Sequence, residues 1–160
     1  MVTTTQQEYC AGAIVFCIIK GNTKYLLIKG RNPDSTPSHN WGFPKGHIEK
    51  DEDPLYTALR ELHEECKLMP YAIYARYVDD EYTFKKDTAT TIHKSVRYYL
   101  IETLRCTITP NEEITNHEWL THHEIVKRLR NEKDNNLDRC LALIDRIIGT
   151  NNNAFQQRKL

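Results

Sequence analysis

The sequence predicts an α/β fold in which a mixed β-sheet is packed between helices. Three features support this prediction: β-rich stretches in both halves of the chain, one well-marked helix near residues 53–66, and an amphipathic helix near the end. The chain of 160 residues is long enough to bury a core. We expect one domain over residues 1–150, followed by a flexible polar tail over residues 151–160.

The first part of the chain is predicted to form strands separated by turns. Residues 9–20 are rich in isoleucine, valine, phenylalanine and cysteine, which indicates a buried strand. The Gly21-Asn22 pair predicts a turn, and residues 25–28 predict the strand that pairs with the first. The polar stretch 31–40 predicts a loop. Residues 41–44, Trp-Gly-Phe-Pro, then predict a short strand that leads towards the central helix.

The central helix has clear boundaries in the sequence. Asp53 is a good N-cap, and Pro54 suits the first helical position because an amide hydrogen would be unpaired there. The helix is predicted to run to about Cys66. At roughly 100° per residue, one face carries the apolar residues Leu55, Ala58, Leu59, Leu62 and Cys66. An adjoining arc carries three glutamates, Glu61, Glu64 and Glu65.

The second half of the chain is predicted to consist mainly of strands until helices close it. The predicted strands are residues 71–85, 91–103 and 117–120. A turn at 87–90 joins the first two, and a loop at 108–113 precedes the third. Thr121 and Glu124 form a capping box, which predicts the start of a helix. Residues 137–148 predict a final amphipathic helix.

Composition excludes several classes of function. The 22 lysines and arginines balance the 22 aspartates and glutamates, so the formal net charge is zero. A general nucleic-acid binder or membrane-surface binder would show a basic excess. The start of the chain lacks a basic-then-apolar signal, and the longest apolar run, residues 11–19, is too short to span a bilayer. We therefore expect a cytoplasmic protein that does not bind membranes.

The cysteines indicate a reduced protein. The chain has five, Cys10, Cys17, Cys66, Cys106 and Cys140. Their number is odd, they are scattered, and no two have the CxxC spacing of a zinc site. We expect free thiols, mostly packed in the core, rather than a disulfide framework.

The glutamate arc on the central helix is the strongest candidate for chemistry. A solvated acidic face is the ordinary explanation for such an arc. Like charges three and four residues apart repel on a helix, however, and a divalent cation would remove that repulsion. Hard cations such as magnesium bind carboxylate oxygens and often bridge them to substrate phosphates. The arc therefore favours a metal site for phosphate chemistry.

The residues around the arc fit a longer pattern, the Nudix box. The box consists of glycine, five residues, glutamate, seven residues and then R-E-U-x-E-E-x-G-U, where U is aliphatic. The positions in register are Gly46, Glu52, Arg60, Glu61, Leu62, Glu64, Glu65 and Leu68. The second glycine is replaced by Lys67, for which we expect a cost on the order of 1 kcal/mol or a shifted helix end. The chain thus resembles the Nudix hydrolases, which implies the Nudix α/β/α sandwich with a mixed β-sheet.

The resemblance also implies roles for individual residues. Magnesium is the implied cofactor, with manganese as a possible substitute. Glu61 and Glu65 would ligate the metal and Glu64 would share that role, while Arg60 would orient the glutamates by salt bridges. Glu113 matches a further functional glutamate of the family and is a candidate ligand. Glu61 is the first choice for the general base, with Glu64 and Glu113 open as alternatives.

The flanks of the box resemble one subfamily, the asymmetric diadenosine tetraphosphate hydrolases. Residues 41–49, WGFPKGHIE, resemble their WxxPKGHxE stretch, and residues 94–100, KSVRYYL, resemble their K-x-V-x-Y-aromatic-L strand. Such a substrate needs cations along its phosphates and aromatic rings beside adenine. The candidate cations are Lys45, His47, Lys94 and His39, and the candidate aromatic contacts are Tyr82, Phe84 and Tyr98. Each of these could instead be solvated or packed in the core. Phe155 in the tail is a further candidate to close over a base.

These inferences predict a magnesium-dependent hydrolase that converts diadenosine tetraphosphate into ATP and AMP. We expect a monomer that acts on a small-molecule nucleotide. A first alternative is an enzyme acting on the 5′ triphosphate or cap end of RNA, which would need a basic track outside the pocket. A second alternative is a Nudix-fold module that binds nucleotides without hydrolysing them, for which Lys67 is the one hint in the sequence.

Overall fold

The computed structural model describes residues 2–132 and 135–149. Within these ranges the strands are β1 (Thr4–Ile19), β2 (Asn22–Arg31), β3 (Pro37–Gly42), β4 (Lys45–His47), β5 (Ala72–Lys85), β6 (Thr90–Glu102) and β7 (Asn116–Leu120). The helices are α1 (Pro54–Cys66), α2 (His122–Leu129) and α3 (Leu137–Ile148). The element order is that of a sheet interrupted by α1 and completed by two helices.

The strands form one mixed sheet. Its order is β3-β2-β1-β6-β5, with β4 paired to β1 and β7 paired to β2. Strands β1 and β6 are parallel, from Thr4 opposite Thr90 to Phe16 opposite Glu102. The other pairs are antiparallel. Because β1 is central and pairs with β4 and β6 on opposite edges, it places the start of the box one strand away from β6.

Helices cover both faces of the sheet and create two apolar clusters. On one face, Leu137 and Ile144 of α3 belong to the cluster that contains Ile14 of β1. On the other face, Leu62 of α1 packs with Val15 of β1. These three layers are the α/β/α sandwich that the sequence predicted, so the fold class is confirmed.

Helix α1 has the predicted boundaries. The Asp53 carboxylate accepts a hydrogen bond from the Leu55 N–H at 2.8 Å, as an N-cap does. At the other end Lys67 takes left-handed dihedrals, φ 56° and ψ 31°, and its N–H donates to the His63 carbonyl at 2.9 Å. Of the two outcomes expected for Lys67, the helix end is therefore not shifted. The lysine makes the turn itself, at a conformational cost of about 1 kcal/mol.

The sequence prediction is wrong at two short strands. The predicted loop at residues 31–40 ends inside β3, and β4 was not predicted as a strand. Strand β4 pairs with β1 through Lys45 opposite Gly12. A Cβ on Gly12 would overlap the Pro44 carbonyl oxygen, so glycine permits this close approach. Three residues are too few to show a period, and β4 is defined by its pairing with β1 rather than by a local signal.

The prediction that all five cysteines are free thiols is also wrong. Cys17 and Cys106 form a disulfide, with their Cα atoms 5.8 Å apart. The other three, Cys10, Cys66 and Cys140, are free and buried. The bonded pair is separated by 89 positions. The two cysteines meet because the parallel pairing of β1 and β6 brings the end of β1 beside the segment after β6, which spacing in the sequence does not show.

The C-terminal predictions fall outside the described residues. The predicted tail, residues 151–160 with Phe155, lies there, and the single domain over residues 1–150 stays a prediction. Within residues 2–132 and 135–149, none of the helices has the length and apolar character that crossing a membrane requires.

Candidate active site

Arg60 gathers the carboxylates of the box. Its Nε and Nη2 atoms donate to the two oxygens of Glu52 at 2.8 and 2.9 Å, and Nη2 also donates to the His47 carbonyl at 3.1 Å. Its Nη1 atom donates to Glu61 at 2.9 Å and to Glu64 at 3.3 Å. Only 18% of the Arg60 side chain is exposed, so water screens these ion pairs weakly. The salt bridges expected of Arg60 are thus present.

Glu52 is a structural partner of Arg60. Its Oε1 atom also accepts hydrogen bonds from the Glu49 N–H at 2.9 Å and the Thr57 hydroxyl at 3.1 Å. The hydrogen bond from Arg60 lowers the pKa of Glu52 to about 2, against the opposing effect of desolvation. Both oxygens of Glu52 are therefore engaged, and they fasten the loop before α1 to the helix.

Glu61 lies against the backbone of β4. Its side chain is 13% exposed, and burial raises its pKa, while Arg60 acts in the opposite direction. A Cβ on Gly46 would overlap the Glu61 carboxylate. The glycine that opens the box thus leaves the space that this carboxylate occupies.

Glu65 is the most buried of the three glutamates on the arc. It is 7% exposed, and its Oε2 atom is buried without a hydrogen-bond partner. Burial raises the pKa of Glu65 to about 8, while the charge of Lys45 opposes this rise and those of Glu61 and Glu113 add to it. Glu64, by contrast, is 53% exposed. A buried carboxylate oxygen without a partner is costly, and a bound cation would remove that cost.

A cleft of about 480 Å³ extends from Glu65 across the sheet. Its walls come from β2, β3 and α3, and parts of β5 and β6 also line it. Four further residues with predicted site roles line the cleft: Lys45, Tyr82, Tyr98 and Glu113. The cleft therefore joins a box glutamate to a lysine and to two of the predicted aromatic side chains.

Lys94 lies on the same face of the sheet as the cleft but does not line it. In the ladder it stands between Tyr82 on β5 and Glu8 on β1. It shares this face with Tyr98, as their even spacing predicted. Its Nζ atom lies 3.1 Å from Glu8 Oε2, and its side chain is 15% exposed. The predicted phosphate contact is thus already paired with a carboxylate.

The remaining predicted contacts also lie outside the cleft. The Nε2 atom of His47 is 3.0 Å from Glu8 Oε2. The Phe84 ring is in contact with Tyr82, with ring centroids 6.2 Å apart, but it does not line the cleft. His39 is exposed and does not line it either. The binding roles of these residues stay predictions.

The wall that α3 supplies was not predicted. Arg139 donates to both oxygens of Asp80, at 2.9 and 2.6 Å, and its guanidinium lies 4.8 Å from the centroid of the Tyr82 ring. Trp41, only 4% exposed, also lines the cleft, and its Nε1 atom has no hydrogen-bond partner. Asp80 is two residues from Tyr82 on β5, so the sequence predicts that both side chains lie on the same face of the sheet. The partner of Asp80, 59 positions away, was not predicted.

The residues at the cleft fit a divalent cation. In the described part of the chain, no three histidine, cysteine, aspartate or glutamate side chains are already arranged to hold a metal ion. The fit rests instead on the unpaired, buried Oε2 atom of Glu65. Its acidic neighbours, Glu61 and Glu113, offer only oxygen atoms, which hard cations prefer. Ligation by Glu61, Glu64, Glu65 and Glu113 stays a prediction.

Most of the chain matches a known protein family. A model of the NUDIX domain matches residues 8–140. The chain belongs to the Nudix family. The match contains all of β4 and α1, and hence the whole Nudix box. Nudix hydrolases generally use divalent metals, which agrees with the oxygen donors beside this cleft.

Several curated proteins are similar to this Nudix chain, including the following two. The asymmetrical bis(5′-nucleosyl)-tetraphosphatase of Caenorhabditis elegans is 29% identical over 97 residues, a match that covers 56% of this chain and 61% of that protein. A relative from Mycobacterium tuberculosis is 30% identical over 128 residues, covering 78% of this chain and 50% of its own length. The chain thus spans between a half and two thirds of the length of these relatives.

Solved Nudix structures share the fold. The binary complex of C. elegans Ap4A hydrolase has a TM-score of 0.64 and 21% identity, covering 87% of this chain and 96% of that one. The NUDIX domain of Shewanella oneidensis NrtR, complexed with ADP ribose, also has a TM-score of 0.64, with 17% identity and 88% coverage of both chains. At these identities the likeness concerns the fold alone.

Proposed function

We propose that this Nudix protein is a magnesium-dependent hydrolase that splits a diphosphate linkage in a dinucleoside polyphosphate. The proposed substrate is diadenosine tetraphosphate, and the products are ATP and AMP. The observation that carries the proposal is the cleft that joins Glu65, whose Oε2 atom is buried and unpaired, to Lys45 and to the aromatic residues Tyr82 and Tyr98. The similarity to the C. elegans tetraphosphatase supports the class of substrate.

The box glutamates supply the metal end of the proposed site. Glu61, Glu64 and Glu65, with Glu113, would hold the cation. When bound, a divalent cation neutralises phosphate charge and lowers the pKa of a coordinated water. Arg60 holds Glu61 and Glu64 by hydrogen bonds, so these two carboxylates are oriented before any ligand binds. Orientation in advance reduces the entropy that is lost when a site assembles.

Glu61 is our choice for the general base. Arg60 donates to its Oε1 atom, and no hydrogen bond from the described residues occupies its Oε2 atom. Burial raises the pKa of this carboxyl, which makes its carboxylate a better proton acceptor. Glu64 and Glu113 remain the alternatives, and Glu113 reaches the cleft from the loop before β7.

The rest of the cleft would hold the substrate. The Lys45 ammonium is close enough to Glu65 to influence its pKa, which puts a positive charge beside the reacting phosphates. Tyr82 is half-buried and offers an aromatic surface to a nucleobase. The ion pair of Arg139 and Asp80 fixes a planar guanidinium near that ring. A nucleoside in this position would place its phosphates towards Lys45 and Glu65.

Two alternatives from the sequence carry less support. An enzyme for RNA 5′ ends would need a basic track, and the net charge of zero argues against one. The hint for a non-catalytic binding module was Lys67, but Lys67 makes the turn that the box glycine would make. The orphaned oxygen of Glu65 also favours a site that takes a cation.

Product analysis tests the proposal. The protein would be incubated with magnesium and diadenosine tetraphosphate in ¹⁸O-labelled water, in parallel with triphosphorylated RNA and with nucleoside triphosphates. Chromatography and mass spectrometry would identify the products and the phosphate that carries the label. We expect ATP and AMP in equal amounts, and we expect none when EDTA replaces magnesium.

The outcomes separate the candidates. Two molecules of ADP would contradict asymmetric cleavage, and products from RNA alone would move the function to RNA 5′ ends. Turnover of nucleoside triphosphates alone would contradict the dinucleotide substrate. Nucleotide binding without any turnover would favour a binding module.

A further inference from the structure

Glu8 is the centre of a small charged cluster beside the cleft. One of its oxygens, Oε2, lies 3.0 Å from His47 Nε2 and 3.1 Å from Lys94 Nζ. A carboxylate only accepts hydrogen bonds, so His47 Nε2 carries a proton here. The hydrogen bond from His47 lowers the pKa of Glu8, and Lys94 adds to this effect. Glu8 is therefore an anion that holds two donors on one oxygen atom.

The cluster is continuous with the cleft along the sheet. Lys94 stands directly opposite Tyr82, which lines the cleft. On β4, His47 is two residues from Lys45, so the two side chains share a face at a separation of about 7 Å along the strand. A phosphate chain that extends from Lys45 along this face would reach His47 Nε2 and Lys94 Nζ, the two donors that contact Glu8.

The buried thiol of Cys10 lies near the charges of both the cluster and the cleft. Burial raises its pKa, the charges of Lys94 and Lys45 lower it, and those of Glu8 and Glu61 raise it. The electrostatic potential at Cys10 therefore depends on two lysines, Lys45 and Lys94, and on the carboxylates of Glu8 and Glu61. The charges of the cluster and of the cleft act on one region.

We infer that Glu8 sets how strongly phosphate groups bind beside the cleft, because it neutralises Lys94 and occupies His47. This inference deepens the proposed function and rests on it, because it assumes that the phosphates of the substrate lie along this face of the sheet. The two donors on Glu8 Oε2 form an arrangement that a phosphate oxygen also needs. A phosphate must share these donors with Glu8 or displace it, so Glu8 weakens the binding of the phosphate chain.

Binding of inorganic tripolyphosphate tests this role without any need for turnover. The dissociation constant would be measured by calorimetry in magnesium-free buffer at low salt for the wild type and for Glu8→Gln. The amide oxygen of glutamine can still accept from both donors, so the fold is expected to persist. We expect Glu8→Gln to bind about three- to tenfold more tightly, since a negative charge near a polyanion is removed.

Two further variants make the result specific. Glu81→Gln is the matched control: it removes the same charge from the same sheet, but its partner Ser95 marks the opposite face. We expect its affinity to stay within about 1.5-fold of the wild type, because Glu81 is 64% exposed on the opposite face and water weakens its charge. The double variant Glu8→Gln with Lys94→Ala should lose most of the gain, since the gain depends on the positive charge of Lys94, which glutamine does not neutralise.

Equal or weaker binding by Glu8→Gln, including no binding by either protein, would overturn the inference. Weaker binding would show that Glu8 instead positions Lys94 for the substrate. A gain of the same size in Glu81→Gln would reduce the effect to net charge and would overturn it as well. Failure of the proposed function would appear separately, as a wild type that yields no ATP and AMP while the tripolyphosphate affinities keep the expected order.

Discussion

Two charged clusters meet at His47, and they have opposite composition. The carbonyl oxygen of His47 accepts from Arg60, whereas its ring nitrogen contacts Glu8. In the first cluster one cation is shared by the carboxylates of Glu52, Glu61 and Glu64. In the second, one carboxylate is shared by a lysine and a histidine. The surplus of acid in the first suits a metal ion, and the surplus of donors in the second suits phosphate.

Burial also differs between the central ion pairs of the two clusters. The side chains of Arg60 and Glu52 are 18% and 11% exposed, whereas those of His47 and Glu8 are 63% and 28% exposed. The outer members reverse this order, since Glu64 is 53% exposed and Lys94 is 15% exposed. Breaking a buried ion pair leaves an uncompensated charge and is costly, while an exposed pair contributes little. The comparison therefore implies that the Arg60 cluster stabilises the fold, whereas the Glu8 cluster mainly adjusts ligand binding.

Glu65→Gln is expected to have the largest effect, because it removes the carboxylate that would bind the cation at the end of the cleft. We predict a loss of kcat of at least about 100-fold. Glutamine fills the same space, so the midpoint of thermal unfolding without metal should be unchanged or higher. Magnesium should raise that midpoint for the wild type and not for the variant. Near-normal turnover by a folded Glu65→Gln protein would remove Glu65 from the metal site.

Arg60→Ala is expected to have the next largest effect and tests the stabilising role of its cluster. It leaves three carboxylates close together without their shared cation. We predict that the free energy of unfolding, measured in urea, falls by about 2–4 kcal/mol, and that magnesium restores part of this loss. Glu8→Gln should change the same quantity by less than about 1 kcal/mol. Equal losses in the two variants would contradict the contrast between the clusters.

Gly46→Ala should lower activity with a smaller change in stability. The added methyl group would overlap the carboxylate of Glu61, which is the far end of a flexible side chain and can move away. We predict a loss of kcat on the order of tenfold to a hundredfold with an almost unchanged midpoint of thermal unfolding. Gly12→Ala is the contrast, since its methyl group would meet the Pro44 carbonyl, which is backbone. It should destabilise the protein more than Gly46→Ala does.

The parts of the molecule that the sequence predicted are those with local signals. Helix α1 begins at Asp53 and Pro54 and ends at Cys66 as predicted, because caps and helical period depend on neighbours within a few positions. The shared face of Lys94 and Tyr98 followed from the period of a strand. For Lys67 the sequence predicted either a conformational cost or a shifted helix end, and the structure shows the first.

The parts that were missed all join distant positions. The contacts of Glu8 with Lys94, and of Asp80 with Arg139, depend on the register of β1 with β6 and on where α3 packs. Strand parity shows which face a side chain takes, but not which residue stands beside it. The same limit explains the disulfide, since chain spacing contains no record of the parallel pairing. Candidate ligands could be identified from the sequence, whereas their actual partners could not.

The smallest predicted effect is a difference in acid stability between the two clusters. Arg60 lowers the pKa of Glu52 to about 2 from an ordinary value of 4.5. The folded state therefore binds this proton less readily than the unfolded state. The resulting stability is fully present above about pH 4.5 and is lost as the pH falls through about 2. Glu52→Gln should thus make the free energy of unfolding, measured in urea from pH 6 to pH 3, depend less steeply on pH.

Glu8→Gln should flatten the same profile less. The pKa of Glu8 is also lowered, by the hydrogen bond from His47, and so the sign is the same. Glu8 itself and its partner His47 are more exposed to water than Glu52 and Arg60, however, which reduces the coupling between the charge and the fold. A larger flattening for Glu8→Gln than for Glu52→Gln would mean that the Glu8 cluster, and not the Arg60 cluster, is the one that couples its charges to folding.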